Sequence, residues 1–278
     1  MSGKGIVRLC LARNHSRRAF TLIELLVVIS IVALLMAILL PTLQRVRKQA
    51  KGVVCQSRLR ELGLQSAIYI EEHISKGRAS SDSNWWLSHW YGKMRSDPRL
   101  VLCPSAPTPL PGPPVSWGDA FHAYAWGGVD PATPPEQRSV FGYASYGKNV
   151  WLGYSETSPW NDRMWRTPDV QGPSRVPVFF DCTQWIAGLH HLDPPPTKPY
   201  AVSSRSSKYG DSATSLCIQR HGEGIKMLFL DWSVRGVGLK ELWTLKWHKE
   251  YDTSGPWTKA GGVQPEQWPA WMRRFKDY

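Results

Sequence analysis

The run from Leu25 to Leu40, LLVVISIVALLMAILL, constrains this chain more than anything that follows it. Its 16 residues include twelve of Leu, Ile or Val and carry no charge. Extended back to Phe20 it has 21 residues, about 31 Å as a helix at roughly 1.5 Å per residue, which matches a bilayer's hydrocarbon core. Twelve aliphatic side chains at roughly −0.3 to −0.6 kcal/mol each favour insertion by about 4–7 kcal/mol, against at most about 3 for a central acid. Glu24 therefore does not stop the segment from spanning, but an acid at that depth needs a partner. Lys4, Arg8, Arg13, Arg17 and Arg18 precede the run with no acid among them, which by the positive-inside tendency keeps the leader cytoplasmic and sends the rest across. A secretory signal would pair a shorter apolar stretch with a small-residue cleavage site after it.

The same leader accounts for much of the charge. Of a net +12, five charges lie in residues 1–19, and the +7 that remains is scattered among 22 acids without a long basic run. That is a solvated surface, not a phosphate track, so no nucleic-acid partner is expected.

A cut between Ala19 and Phe20 would create an α-amino group four residues before Glu24, on the same helix face or within reach of a neighbouring chain's Glu24. Basic leader, FTLIE, long apolar run and proline stand together in RRAFTLIELLVVISIVALLMAILLP, which resembles the class III signal of type IV pilins and type II secretion pseudopilins. The resemblance implies that prepilin peptidase cuts before Phe20 on the cytoplasmic side, N-methylates Phe20 and leaves the helix in place. It makes Glu24 the contact that aligns one subunit with the next and Pro41 a helix-loosening kink. Ala19 stands where the family usually has Gly.

Other pilin or pseudopilin subunits and an inner-membrane assembly platform are the implied partners. The implied location is a bacterial inner membrane, single-pass, with the N-terminus cytoplasmic and the head periplasmic, and then a pilus or pseudopilus. The corresponding segments are a leader at 1–19, a transmembrane and assembly helix at 20–41, and an amphipathic helix with its head at 42–278.

Beyond Pro41, Leu43, Val46, Ala50, Val53, Ser57, Leu59, Leu62, Ser66 and Tyr69 approximate a 3.6-residue period, so the helix is expected to continue to about Glu72. Gly52 and Gly63 weaken it without ending it. Proline-rich stretches such as CPSAPTPLPGPP read as extended loops. Strands are expected at Val176–Cys182, Ser215–Gln219, Ile225–Leu230 and Val234–Leu239, the last two joined by a turn at Asp231–Ser233. The expected fold class is α+β, a long N-terminal helix on a small antiparallel sheet, as in pilins.

His221, nine residues and Asp231 match a spacing that, with the stretches CQSRLRELG and LCPSA, is similar to large bacterial pilin-like proteins of planctomycete type. Those proteins have Gly where Trp232 stands, which argues against a positive-φ turn residue there. His221 and Asp231 are candidate metal ligands, but one His and one Asp make neither a calcium cage nor a zinc site. His190, His191 and Asp193 form an equally small group. No cofactor is expected; calcium, known in some major pseudopilins, is the ion the resemblance would admit. No HExxH, GxSxG or P-loop is present, so the chain reads as structural and not as an enzyme.

Four cysteines follow the cut, Cys55, Cys103, Cys182 and Cys217, on the oxidising side. Three pairings exist, of which Cys182 with Cys217 and Cys55 with Cys103 is preferred. Fifteen tryptophans fit a bulky core under long loops, with Trp243 and Trp247 on one inward helix face. Exposed tryptophan platforms would instead make the chain a membrane-anchored carbohydrate- or surface-binding protein.

Overall fold

A computed structural model describes residues 21–75, 96–112, 114, 117–128, 134, 139–153, 161–199 and 212–278. Helix α1 (Leu22–Ser75) is 54 residues long and runs through Pro41. Contacts divide the chain into two compact units, one ending at Val46 and one from Arg47 to Tyr278.

In the first unit every described residue from Thr21 onward is exposed, Leu22, Ile23, Leu34 and Leu39 among the most open. A helix that is apolar all round is stable in a bilayer or a bundle of similar helices, not in water. Its few hydroxyls are satisfied along the helix itself: Ser30 Oγ donates to the Leu26 carbonyl at 2.7 Å, and Thr42 Oγ1 to that of Leu39 at 2.8 Å, beside Pro41. Length and apolarity make this a candidate membrane span.

In the second unit α1 turns one face to the head. The buried stripe is Gly52, Cys55, Leu59, Leu62, Gly63, Ser66 and Ile70, spaced three and four apart. Leu59, Leu62 and Ser66 fall where the sequence period puts them; Leu43, Val46, Ala50, Val53 and Ser57 are exposed, which corrects that part of the pattern. At Gly63 an added Cβ would meet the Leu228 Cδ1 methyl at 2.8 Å, so the helix backbone packs directly on that side chain. The glycines are the packing face rather than weak points.

The head holds two sheets. In the smaller, β1 (Thr108–Pro109) pairs in parallel with β2 (His122–Gly128), which pairs antiparallel with β3 (Ser139–Ala144). The larger contains β4 (Tyr146–Asn149), β5 (Pro177–Asp181), β6 (Ile186–Ala187), β7 (Gly224–Phe229) and β8 (Val234–Gly238), in the order β6-β4-β5-β7-β8. β4 and β6 run parallel, so the sheets are mixed, a correction to the all-antiparallel expectation. The class is α+β.

Three expected strands are present, within a residue or so of their reading. The fourth is not: Ser212–Leu216 forms a short helix, α2. Its Ser212 hydroxyl accepts the Gly188 amide at 3.1 Å and its Ser215 carbonyl accepts the Thr183 amide at 3.2 Å, contacts across the chain that the local β-like pattern could not register.

β7 and β8 form the expected hairpin, and Trp232 in its turn has φ 64°, against the expectation. A left-handed non-glycine costs about 1–2 kcal/mol. Asp231 offsets it by accepting the Ser233 amide at 3.0 Å and hydroxyl at 2.6 Å, a side-chain turn that fixes the backbone locally.

The core lies on the central strand β5, buried along its whole length, with Phe179, Phe180, Phe229, Trp243, Trp247 and Trp268 fully covered. Trp243 and Trp247 both point inward, but only Trp243 is helical, in a short 3-10 turn at Lys240–Thr244.

Candidate functional site

Among the described residues three places carry more chemistry than packing requires, one in the first unit and two in the head. At the start of α1, Thr21 and Glu24 close a reciprocal cap. Glu24 Oε2 accepts the Thr21 amide at 2.9 Å and its hydroxyl at 2.8 Å, while Thr21 Oγ1 accepts the Glu24 amide at 3.2 Å. This is the Thr-x-x-Glu capping box, which satisfies orphan donors at a helix start. Thr21, three residues before an acid at the edge of an apolar run, was the signal for it, and the sequence reading passed it over.

In the head, Asp181 at the end of β5 is the centre of a buried polar cluster. It accepts from Arg220 Nη1 at 3.1 Å, the Lys226 amide at 2.8 Å and His221 Nε2 at 3.3 Å. Arg220, also fully buried, donates onward to the Ala120 and Asp119 carbonyls at 2.9 Å, to that of Cys182 at 3.2 Å, and to that of Ser145. His221 Nε2 lies 3.2 Å from Cys103 Sγ, and Cys55 Sγ, on α1, lies 3.8 Å from both Asp181 oxygens and receives the Tyr146 hydroxyl at 3.2 Å.

The electrostatics follow from burial against these bonds. Burial would raise the Asp181 carboxyl, but the His221 hydrogen bond and the Arg220 charge pull it down to about 2. Burial would lower His221; its bonds to Asp181 and Cys103 carry it up to about 9. Burial would raise Cys103; hydrogen bonding with Cys55 and His221 brings it down to about 6. Burial and the Cys103 thiol push Cys55 the other way. Near neutral pH two cations, Arg220 and His221, thus face two anions, Asp181 and the Cys103 thiolate.

A thiol, an imidazole and a carboxylate together invite a nucleophile reading, and the geometry answers it. Both the thiol and the carboxylate approach the same ring nitrogen of His221, whereas a base needs its orienting acid on the other one. Cys103 is also fully covered. The donor set Cys55, Cys103, Asp181 and His221, all atoms within 4.8 Å, is one a zinc ion could accept. His190, His191 and His248 form a second such group.

The remaining sequence candidates are dispersed. Ala19 and Phe20 lie outside the described residues. His221 faces Asp181, not Asp231, which is exposed and occupied by its own turn; that corrects the His221–Asp231 ligand pair. Asp193 binds the His190 amide at 2.8 Å through Oδ2, and the companion of His190 and His191 is His248. Cys55, Cys103, Cys182 and Cys217 are all buried free thiols, the first two within one cluster. None of the described tryptophans is fully exposed, and Trp117, Trp126, Trp185, Trp232, Trp257 and Trp271 are half-buried; Trp85, Trp86, Trp90 and Trp160 lie outside the described residues.

An apolar helix exposed on every side, opened by Thr21 and Glu24 and preceded by a basic leader, decides the nature of the N-terminus. Residues 14–40 match the family of the prokaryotic N-terminal methylation motif. The chain carries a prepilin-type signal. The match stops within α1 and leaves the head uncovered. No curated protein and no solved structure matches the chain. The prepilin-type signal supports a pilin-like precursor, and its apolar helix near the N-terminus is the one candidate membrane span among the described residues.

Proposed function

We propose that the chain is a structural subunit of a type II secretion pseudopilus or a type IV pilus-like filament. Prepilin peptidase cuts between Ala19 and Phe20, Phe20 is N-methylated, and the helix from 20 to 41 is drawn from the inner membrane into a bundle of like helices, with the head on the periplasmic side. The observation that carries this reading is the helix surface from Leu22 to Leu43, apolar and exposed on all sides, which a filament core would cover as completely as lipid does. Glu24 then meets the amine of a neighbouring Phe20, since a lone charge in such a bundle costs several kcal/mol.

Co-expression with a prepilin peptidase tests it. Mass spectrometry of the purified chain should find an N-methylated Phe20 terminus. Intact chain alone, or a cut after Leu40, overturns the reading in favour of an uncleaved anchor or a secreted protein.

A further inference from the structure

The two polar clusters of the head differ in one respect that separates their roles. Around Asp181 the buried charges are balanced and bonded to one another. Around His248 they are not. His248 is fully buried, yet neither its Nδ1 nor its Nε2 has a hydrogen-bond partner; the same holds for His191 Nδ1 and the Tyr251 hydroxyl. Each buried polar atom left unpaired costs about 1–3 kcal/mol, so several in one place call for a ligand.

The three imidazoles converge from separate parts of the chain. His190 and His191 follow β6, and their rings stack with centroids 4.2 Å apart; His248 follows the 3-10 turn at Lys240–Thr244 and lies 5.5 Å from His190 and 6.3 Å from His191. One nitrogen from each falls within 4.8 Å of the others. Zinc–nitrogen bonds of about 2.0–2.1 Å place tetrahedral ligands about 3.3 Å apart, so the rings have to turn and close by up to about 1.5 Å on the ion. Tyr251 stands edge-on to His191 and His248 at 5.6 and 5.3 Å.

We propose that His190, His191 and His248 form a three-nitrogen site for a divalent transition-metal ion of the zinc class. Neutral imidazoles suit zinc, copper and nickel, whereas calcium and magnesium require oxygen donors. The ion fastens the segment after β6 to the C-terminal segment, where turns and short 3-10 pieces supply little regular hydrogen bonding of their own. Three protein ligands leave the fourth position to water or an outside donor. His190 and His191 are only half-buried, which gives the ion a way in.

The test is zinc and cobalt titration of the full chain in detergent after chelation. One equivalent of zinc should bind with a rise in Tm, and cobalt should give visible ligand-field bands without a sulfur-to-cobalt charge-transfer band. The double variant His190→Ala/His191→Ala, altered only at half-buried positions, should lose affinity by more than the roughly 10–100-fold that removing an outer partner of a ligand costs. Cys55→Ser/Cys103→Ser should bind as the parent does. Failure of the parent to bind, a thiolate band, or unchanged affinity in the histidine variant would each overturn the proposal. Should the double variant fail to fold, the cobalt spectrum of the parent still decides between nitrogen and sulfur ligation. None of these outcomes touches processing at Phe20.

Discussion

Replacing Asp181 with Asn leaves the volume of the buried cluster almost unchanged and removes one of its two anions. Arg220 and His221 then face the Cys103 thiolate alone, and Arg220 cannot shed its proton. The depression of Asp181 from 3.8 to about 2 corresponds to about 2.5 kcal/mol at 1.36 kcal/mol per pH unit. Breaking a buried pair by removing one partner costs about 3–5 kcal/mol in comparable cases. Asn can still accept the Lys226 amide, so a loss of about 3 kcal/mol is expected. Urea unfolding of the reduced full chain in detergent at pH 6, followed by tryptophan fluorescence, measures it. A change within about 0.5 kcal/mol, the range of ordinary surface substitutions, would refute the view that this cluster holds α1 and the loops to the sheet.

The pH profile supplies an independent check on the same residues. Asp181 is depressed, so its contribution is present above pH 3.8 and is lost as pH falls through about 2. His221 is raised, so its contribution is complete below 6.5 and is lost as pH rises through about 9. Cys103 is lowered to about 6, so its contribution grows between about pH 6 and 9 and offsets the loss at His221. Stability should therefore stay level from about pH 4 to 9 and fall below that range as Asp181 takes up its proton. The two contributions share the His221–Asp181 contact, so the total is smaller than their sum. In the Asn variant the acid limb should flatten.

At Gly63, substitution by Leu places a side chain where even a Cβ meets Leu228 at 2.8 Å; overpacking should cost about 1–3 kcal/mol by denaturant unfolding. At Glu24, Gln keeps the cap to Thr21 but drops the charge, and Val drops both. If the charge aligns subunits, both variants should be cleaved yet fail to enter filaments in cells without wild-type subunits; normal filaments from the Gln variant would reduce Glu24 to a helix cap. At Trp232, Gly removes a strained φ of 64° worth about 1–2 kcal/mol, so Tm should not fall; a clear drop would mean that the indole's packing outweighs the strain.

What could be read from the sequence was local. The apolar run, the basic leader and the FTLIE stretch act over neighbouring positions, and so do the β7–β8 hairpin and its turn at Asp231. Periodicity carried α1 to about Glu72, three residues short of its end at Ser75. It misplaced part of the buried stripe because a hydrophobic pattern gives no weight to Gly52 and Gly63, although a missing side chain is what lets the helix backbone approach Leu228. The same blindness made Ser215–Gln219 a strand, since the helix observed at Ser212–Leu216 is set by contacts with Gly188 and Thr183.

The clusters of the head were hidden for a different reason. Asp181 ends a strand that reads as wholly apolar, and Arg220 beside His221 looks like one more surface cation in a basic chain. Burial makes them a pair, and neither burial nor a separation of 39 positions is written in local pattern. The H-x9-D spacing singled out His221 with Asp231, but Asp231, ten positions on, belongs to the hairpin turn, while the Asp181 carboxylate on the adjoining strand β5 lies 3.3 Å from the His221 Nε2. Motif spacing locates a residue along the chain, whereas its chemistry is set by what the sheet brings beside it. For His221 that is the register of β5 against β7, which puts Asp181 within reach of the Lys226 amide and the imidazole together.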